Sequence, residues 1–149
     1  GRLDFIAVLF YNKAYGKLGN IKIENRRQHM QKRILVVDDD SMNLVRTKMI
    51  LGKQYDVILS ESGEDALKKL KNETIDLVLL DIEMPNMNGI ETFERMKDLP
   101  AEVPVIFLTA SGDEEDVMSA IRLGAVNYLK KPFYPEELLK RVAKEIEKE

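Results

Sequence analysis

From residue 33 onward, short apolar runs rich in β-branched residues alternate with longer stretches whose apolar residues recur at helical spacing. No other feature of the sequence restricts the fold as much. The runs are Ile34–Val37, Tyr55–Leu59, Leu77–Leu80, Val105–Leu108 and Val126–Leu129. Between and after them, Leu44, Val45, Met49 and Leu51 mark a first helix, and Ala66, Leu67 and Leu70 a second, entered through Ser62 as N-cap. Ile90, Phe93 and Met96 mark a third helix, Val117, Ala120, Ile121 and Gly124 a fourth, and Leu138, Leu139, Val142 and Ile146 a fifth. Five strand–helix units predict an α/β fold, a doubly wound (βα)5 arrangement of five parallel strands with helices on both faces. Strands as uniformly apolar as Leu77–Leu80 suit a sheet buried on both sides. In such sheets ligands bind at the carboxyl ends of the strands, so the chemistry is expected there.

Residues 1–30 stand outside this rhythm. Leu3–Tyr11 and Asn20–Glu24 could form a hairpin around a turn containing Gly16 and Gly19. Met30, just before a basic pair and the first strand, reads as a natural start. The segment is thus a leader, an upstream remnant or a native extension, with a domain expected over 31–149. A total of 149 residues suits one α/β domain and is too short for two full ones. The arm to residue 33 carries eight Lys/Arg against two Asp/Glu, and the rest fifteen against twenty-four. An acidic body repels phosphates and argues against direct nucleic-acid binding. With no cysteine and one histidine, neither a disulfide framework, a zinc-thiolate site nor a histidine cluster can form. The longest apolar run, Phe5 to Tyr11, falls far short of the roughly 20 residues of a spanning helix, so no membrane association and a cytoplasmic location are expected.

The first strand ends in Val37-Asp38-Asp39-Asp40 and the third in Leu80-Asp81-Ile82-Glu83-Met84-Pro85. If these ends are neighbours, three or four carboxylates converge, at a repulsive cost that a hard divalent cation would relieve. Mg²⁺ takes one or two carboxylates together with waters and a phosphate oxygen. The plainer alternative is that the acidic run caps the first helix. For that, however, Asp40 or Ser41 alone would suffice. The fourth strand ends at Thr109, which brings a hydroxyl to the same edge, and the fifth in Tyr128-Leu129-Lys130-Lys131-Pro132. Lys131 would lie beside the carboxylates as a point charge for a phosphate, with a cis peptide before Pro132 aiming it inward.

Acidic pair, strand-end Asp, Thr and Lys-Pro, in that order on four of five strands, resemble the response regulator receiver family, the CheY-like domains of two-component signalling. The resemblance covers residues 33 to 148. It implies the flavodoxin-like strand order 2-1-3-4-5. It implies that Asp38, Asp39 and Asp81 hold Mg²⁺ together with the Glu83 backbone carbonyl, and that Asp81 accepts phosphate from a histidine kinase or phosphotransfer protein. It implies further that Thr109 and Lys131 contact the phosphoryl group, that Thr109 and Tyr128 form the switch, and that Glu83 and Ser111 tune dephosphorylation. Gly89 falls at a tight entry to the third helix. Such a domain catalyses only its own phosphotransfer and slow autodephosphorylation. It signals through its helix 4–strand 5–helix 5 face to an output partner the sequence does not identify, or through phosphorylation-dependent homodimerisation. Three other readings remain open on the residues. A flavin protein of the same topology needs a glycine- and hydroxyl-rich loop where Asp38-Asp39-Asp40 stands. A phosphatase of the haloacid dehalogenase class has a second Asp where Glu83 stands. A degenerate receiver would have lost charged site residues that are present here.

Overall fold

The computed structural model describes residues 31–110 and 114–147. The expected hairpin of residues 1–30 and the position of Ser111 lie outside the described residues. Five strands form one parallel sheet: β1 (Arg33–Val37), β2 (Asp56–Ser60), β3 (Leu77–Asp81), β4 (Val105–Thr109) and β5 (Asn127–Lys130). Their order is β2-β1-β3-β4-β5, the order the resemblance implies. Each strand is followed by a helix: α1 (Ser41–Leu51), α2 (Gly63–Asn72), α3 (Gly89–Met96), α4 (Glu114–Arg122) and α5 (Pro135–Ile146). The observed strands extend or shift by one residue from the apolar runs, because pairing continues through Arg33, Ser60, Asp81, Thr109 and Lys130.

Side chains alternate across the strands and sort into two cores. Ile34, Val36, Leu77, Leu79, Ile106 and Leu108 pack against Leu44 and Leu51 of α1 and Leu138, Val142 and Ile146 of α5. Leu35, Val37, Val78, Leu80, Val105 and Phe107 pack against Ala66 of α2, Phe93 and Met96 of α3 and Ala120 of α4. Phe93 and Phe107 meet edge to face, with ring centroids 5.4 Å apart. The doubly wound arrangement is thus built by burial on both faces.

Two helices depart from the expected apolar stripes. In α1 the buried positions are Leu44, Thr47 and Leu51, while Val45 and Met49 face outward. At 100° per residue, positions 44, 47 and 51 fall on one stripe, and a threonine fills its middle, so an apolar count misses it. In α4, Ala120 takes the core position and Ile121 lies on the outer side. The helix starts follow local chemistry. Ser62 accepts from Asp65 N at 3.1 Å, as expected. Asn88 accepts from Glu91 N at 2.9 Å, an Asn-x-x-Glu pattern legible in the sequence but not singled out. Pro135 opens α5, where its missing N–H has no cost.

Candidate functional site

The parallel register sets the site. Val37 pairs with Leu80, so Asp38 and Asp81 are the next residues at one edge, and Asp81 pairs with Leu108, one residue before Thr109. Asp38 is buried, its N–H donating to Ser60 O at 3.1 Å. Its Oδ1 accepts from Asp40 N at 2.9 Å, and its Oδ2 accepts from Lys131 Nζ at 2.8 Å. Asp81 is 4% exposed. Its Oδ1 has no hydrogen-bond partner, and lies 3.5 Å from Lys131 Nζ as an ion pair only. Carboxylate oxygens of Asp38, Asp39 and Asp81 all fall within 4.8 Å of one another.

Among the described residues, the Lys131 ammonium pairs with two of these three carboxylates. Burial raises the Asp81 carboxyl to about 6, with Lys131 opposing the shift and Asp38 and Asp39 adding to it. Among the described residues, the cluster carries more negative than positive charge. Hard oxygen donors, a buried carboxylate oxygen without a hydrogen bond and a surplus of negative charge fit a divalent cation such as Mg²⁺. The Asp40 carboxylate takes no part in the cluster. Its Oδ1 accepts from Met42 N at 2.9 Å and Asn43 N at 3.4 Å, so it is the N-cap of α1. The acidic run therefore divides, with two residues in the cluster and one at the cap.

The loop after β3 is held tightly. Ile82 N donates to Leu108 O at 3.0 Å, and Gly89 N donates back to Ile82 O at 2.9 Å. Between them Asn86 has a φ of 68°, and Met87 N donates to Pro85 O at 2.8 Å, closing a three-residue turn. A Cβ on Gly89 would stand 2.3 Å from Asp81 O, so only glycine lets α3 begin this close to the end of β3. Glu83 is exposed on this loop.

Thr109 ends β4 and is buried, and its carbonyl accepts from Lys131 N at 2.7 Å. The Lys131–Pro132 peptide is cis. Tyr128 pairs with Phe107, two residues before Thr109, and is 38% exposed. The fold thus gathers the carboxylates of Asp38, Asp39 and Asp81 within 4.8 Å, sets Lys131 against Asp38 and Asp81, places Thr109 at the same edge and leaves Tyr128 facing outward. Sequence reasoning missed two things here. Lys131 pairs with Asp38 more closely than with Asp81, and the Arg141 guanidinium of α5 lies over the Tyr128 ring. A helix residue meeting a strand residue 13 positions away leaves no spacing signal. A hollow of about 730 Å³ lined by Phe93, Val103, Pro104, Leu123 and Val126 lies toward the amino ends of β4 and β5, away from these groups. Among the described residues no helix is long and apolar enough to cross a membrane.

Residues 34–143 match the family model described as the response regulator receiver domain. Over 114 residues the chain is 40% identical to the alkaline phosphatase synthesis transcriptional regulatory protein PhoP of Bacillus subtilis, covering 76% of this chain and 48% of that protein. It is 41% identical over 114 residues to the DNA-binding response regulator MtrA of Mycolicibacterium paratuberculosis, covering 76% and 50%. The chain spans about half the length of these relatives. A CheY-like receiver domain from Methanospirillum hungatei superposes with a TM-score of 0.75 at 34% identity, covering 79% of this chain and 95% of that one. The BeF3-activated DrrB receiver domain superposes with a TM-score of 0.72 at 36% identity, covering 79% and 99%.

Proposed function

This chain belongs to the response regulator receiver family of two-component signalling, and on that premise we propose that Asp81 accepts a phosphoryl group from a histidine kinase or phosphotransfer protein in a Mg²⁺-dependent reaction. The observation that carries the proposal is the cluster itself: three carboxylates within 4.8 Å, a lysine between Asp38 and Asp81, and a buried Asp81 oxygen without a hydrogen bond. With its carboxyl at about 6, Asp81 is mostly ionised at neutral pH, as a nucleophile must be.

An Asp81 oxygen forms the new P–O bond as the P–N bond of a phosphohistidine breaks, and the released imidazole nitrogen keeps the electron pair and takes a proton. Lys131 pairs with the equatorial phosphoryl oxygens, for which its 2.8 Å contact with Asp38 must lengthen or be shared. The Thr109 hydroxyl donates to the same oxygens, and Asp38, Asp39 and Asp81, with the Glu83 carbonyl, would hold the cation. Mg²⁺ when bound supplies the charge that lets carboxylates and phosphoryl oxygens approach each other. The residues contribute position and electrostatics, which suffice for a loose phosphoryl transition state. The side chains of Glu83 and Ser111 tune the water that later hydrolyses the acyl phosphate. On phosphorylation Thr109 moves toward the new oxygens, Tyr128 turns into the space it leaves, and the α4–β5–α5 face changes for an output partner or a second copy. The domain comprises 31–149, acts in the cytoplasm and turns over only its own phosphoryl group.

Acetyl phosphate with Mg²⁺, followed by intact mass, tests the acceptor. One phosphoryl group should add to the wild type and to Asp40→Asn, and none to Asp81→Asn. Stoichiometric labelling of Asp81→Asn at another aspartate would refute the assignment.

A further inference from the structure

The ring that the proposed switch must move is held from outside by one arginine. Arg141 Nη1 donates to Asn127 Oδ1 at 2.8 Å and to the Tyr128 carbonyl at 2.5 Å. Its Nη2 lies 3.6 Å from Glu137 Oε1, one helical turn earlier. The guanidinium carbon sits 5.9 Å from the centroid of the Tyr128 ring, over its face. Asn127 Oδ1 also accepts from Tyr128 N at 2.9 Å, so one amide oxygen fixes both the strand and the arginine. The fork is therefore tied to the backbone of β5, and it cannot follow the ring if the ring turns inward.

We infer that Arg141 is a positioning residue that keeps Tyr128 outward in the unphosphorylated chain and so sets the threshold of the switch. The inference rests on the Thr109–Tyr128 reading above. Only the ring contact distinguishes the two states. The hydrogen bonds to Asn127 and to the Tyr128 carbonyl go to groups that ring rotation leaves in place, so they anchor the guanidinium and cancel from the equilibrium. A half-exposed cation–π contact then biases the outward state by about two- to fivefold. Because a ligand's apparent affinity scales with the population able to bind it, the same factor should appear in the affinity for a phosphoryl mimic.

The experiment uses the full chain labelled with 3-fluorotyrosine, with the Tyr128 signal assigned by its loss in Tyr128→Phe. Wild type, Arg141→Gln and Arg141→Lys are titrated with beryllofluoride in Mg²⁺, and melting temperatures are recorded to show that each is folded. In wild type the Tyr128 signal should move on saturation. In unliganded Arg141→Gln it should already be displaced toward that position, with beryllofluoride binding about two- to fivefold tighter. Arg141→Lys keeps the charge but loses the fork, and should fall between them. A role in stability alone would lower the melting temperature without moving either readout. If the wild-type ring responds and neither variant shifts the resting signal or the affinity, the holding role of Arg141 is overturned while the switch stands. If the wild-type ring does not respond at all, the Thr109–Tyr128 reading fails and this inference falls with it.

Discussion

Replacing Asp81 with Asn should make the metal-free protein more stable at neutral pH, and the size of the gain can be worked from the site. Asp81 titrates at about 6 in the folded chain, against 3.8 for the ordinary carboxyl, because burial opposes its charge. Between those values the folded state holds a proton that the unfolded state has lost. Stability therefore falls as pH rises through the window and stays low above it. A gap of about two units, at roughly 1.4 kcal/mol each, makes the full loss about 3 kcal/mol. Asparagine resembles the neutral carboxyl in shape and hydrogen bonding, and does not titrate. The Lys131 ammonium keeps its 2.8 Å contact with Asp38, so the substitution leaves no cation stranded. Urea unfolding in EDTA should give stabilities that converge as the pH falls below the ordinary carboxyl value of 3.8. By pH 7 the variant should be ahead by about 3 kcal/mol, or roughly 10 °C in melting temperature for a chain of this size. Saturating Mg²⁺ should shrink the difference, because the wild type gains the cation and the variant has lost a ligand. Parallel stability–pH curves for the two proteins would refute the reasoning, since they would mean that Asp81 ionises as easily folded as unfolded.

Two further outcomes follow from the same geometry. Millimolar Mg²⁺ should raise the wild-type melting temperature by a few degrees and leave Asp39→Ala unchanged, read by calorimetry; equal shifts would remove Asp39 from the metal site. Gly89→Ala places a methyl group 2.3 Å from Asp81 O and should cost several kcal/mol in urea unfolding, and a loss below about 1 kcal/mol would mean that the β3–α3 loop yields.

The sequence by itself determined the layer structure and the chemical inventory of the site. Ile34–Val37 and Leu77–Leu80 are short, β-branched or leucine runs apolar at every position, which suits a strand buried on both faces, and that preference acts locally. The strand-end residues Asp38, Asp39, Asp81, Thr109 and Lys131 were legible because a parallel sheet gathers its carboxyl ends at one edge whatever the detailed packing. Helix orientation was less so. Thr47 holds a core place on α1 while Met42 and Met49 face outward, because rotation of a helix about its axis is chosen by the surface it packs on. What each charge does at the site was also beyond the sequence. Asp38, Asp39 and Asp40 are chemically alike, yet the turn into α1 gives Asp40 to the helix N–H groups and leaves the other two facing Asp81. The lysine's preference for Asp38, the raised carboxyl of Asp81 and the arginine over Tyr128 depend on distances between residues 13 to 93 positions apart. Such contacts are set when the sheet closes and the helices dock, since Coulomb and hydrogen-bond energies vary over a few ångströms that no sequence spacing encodes.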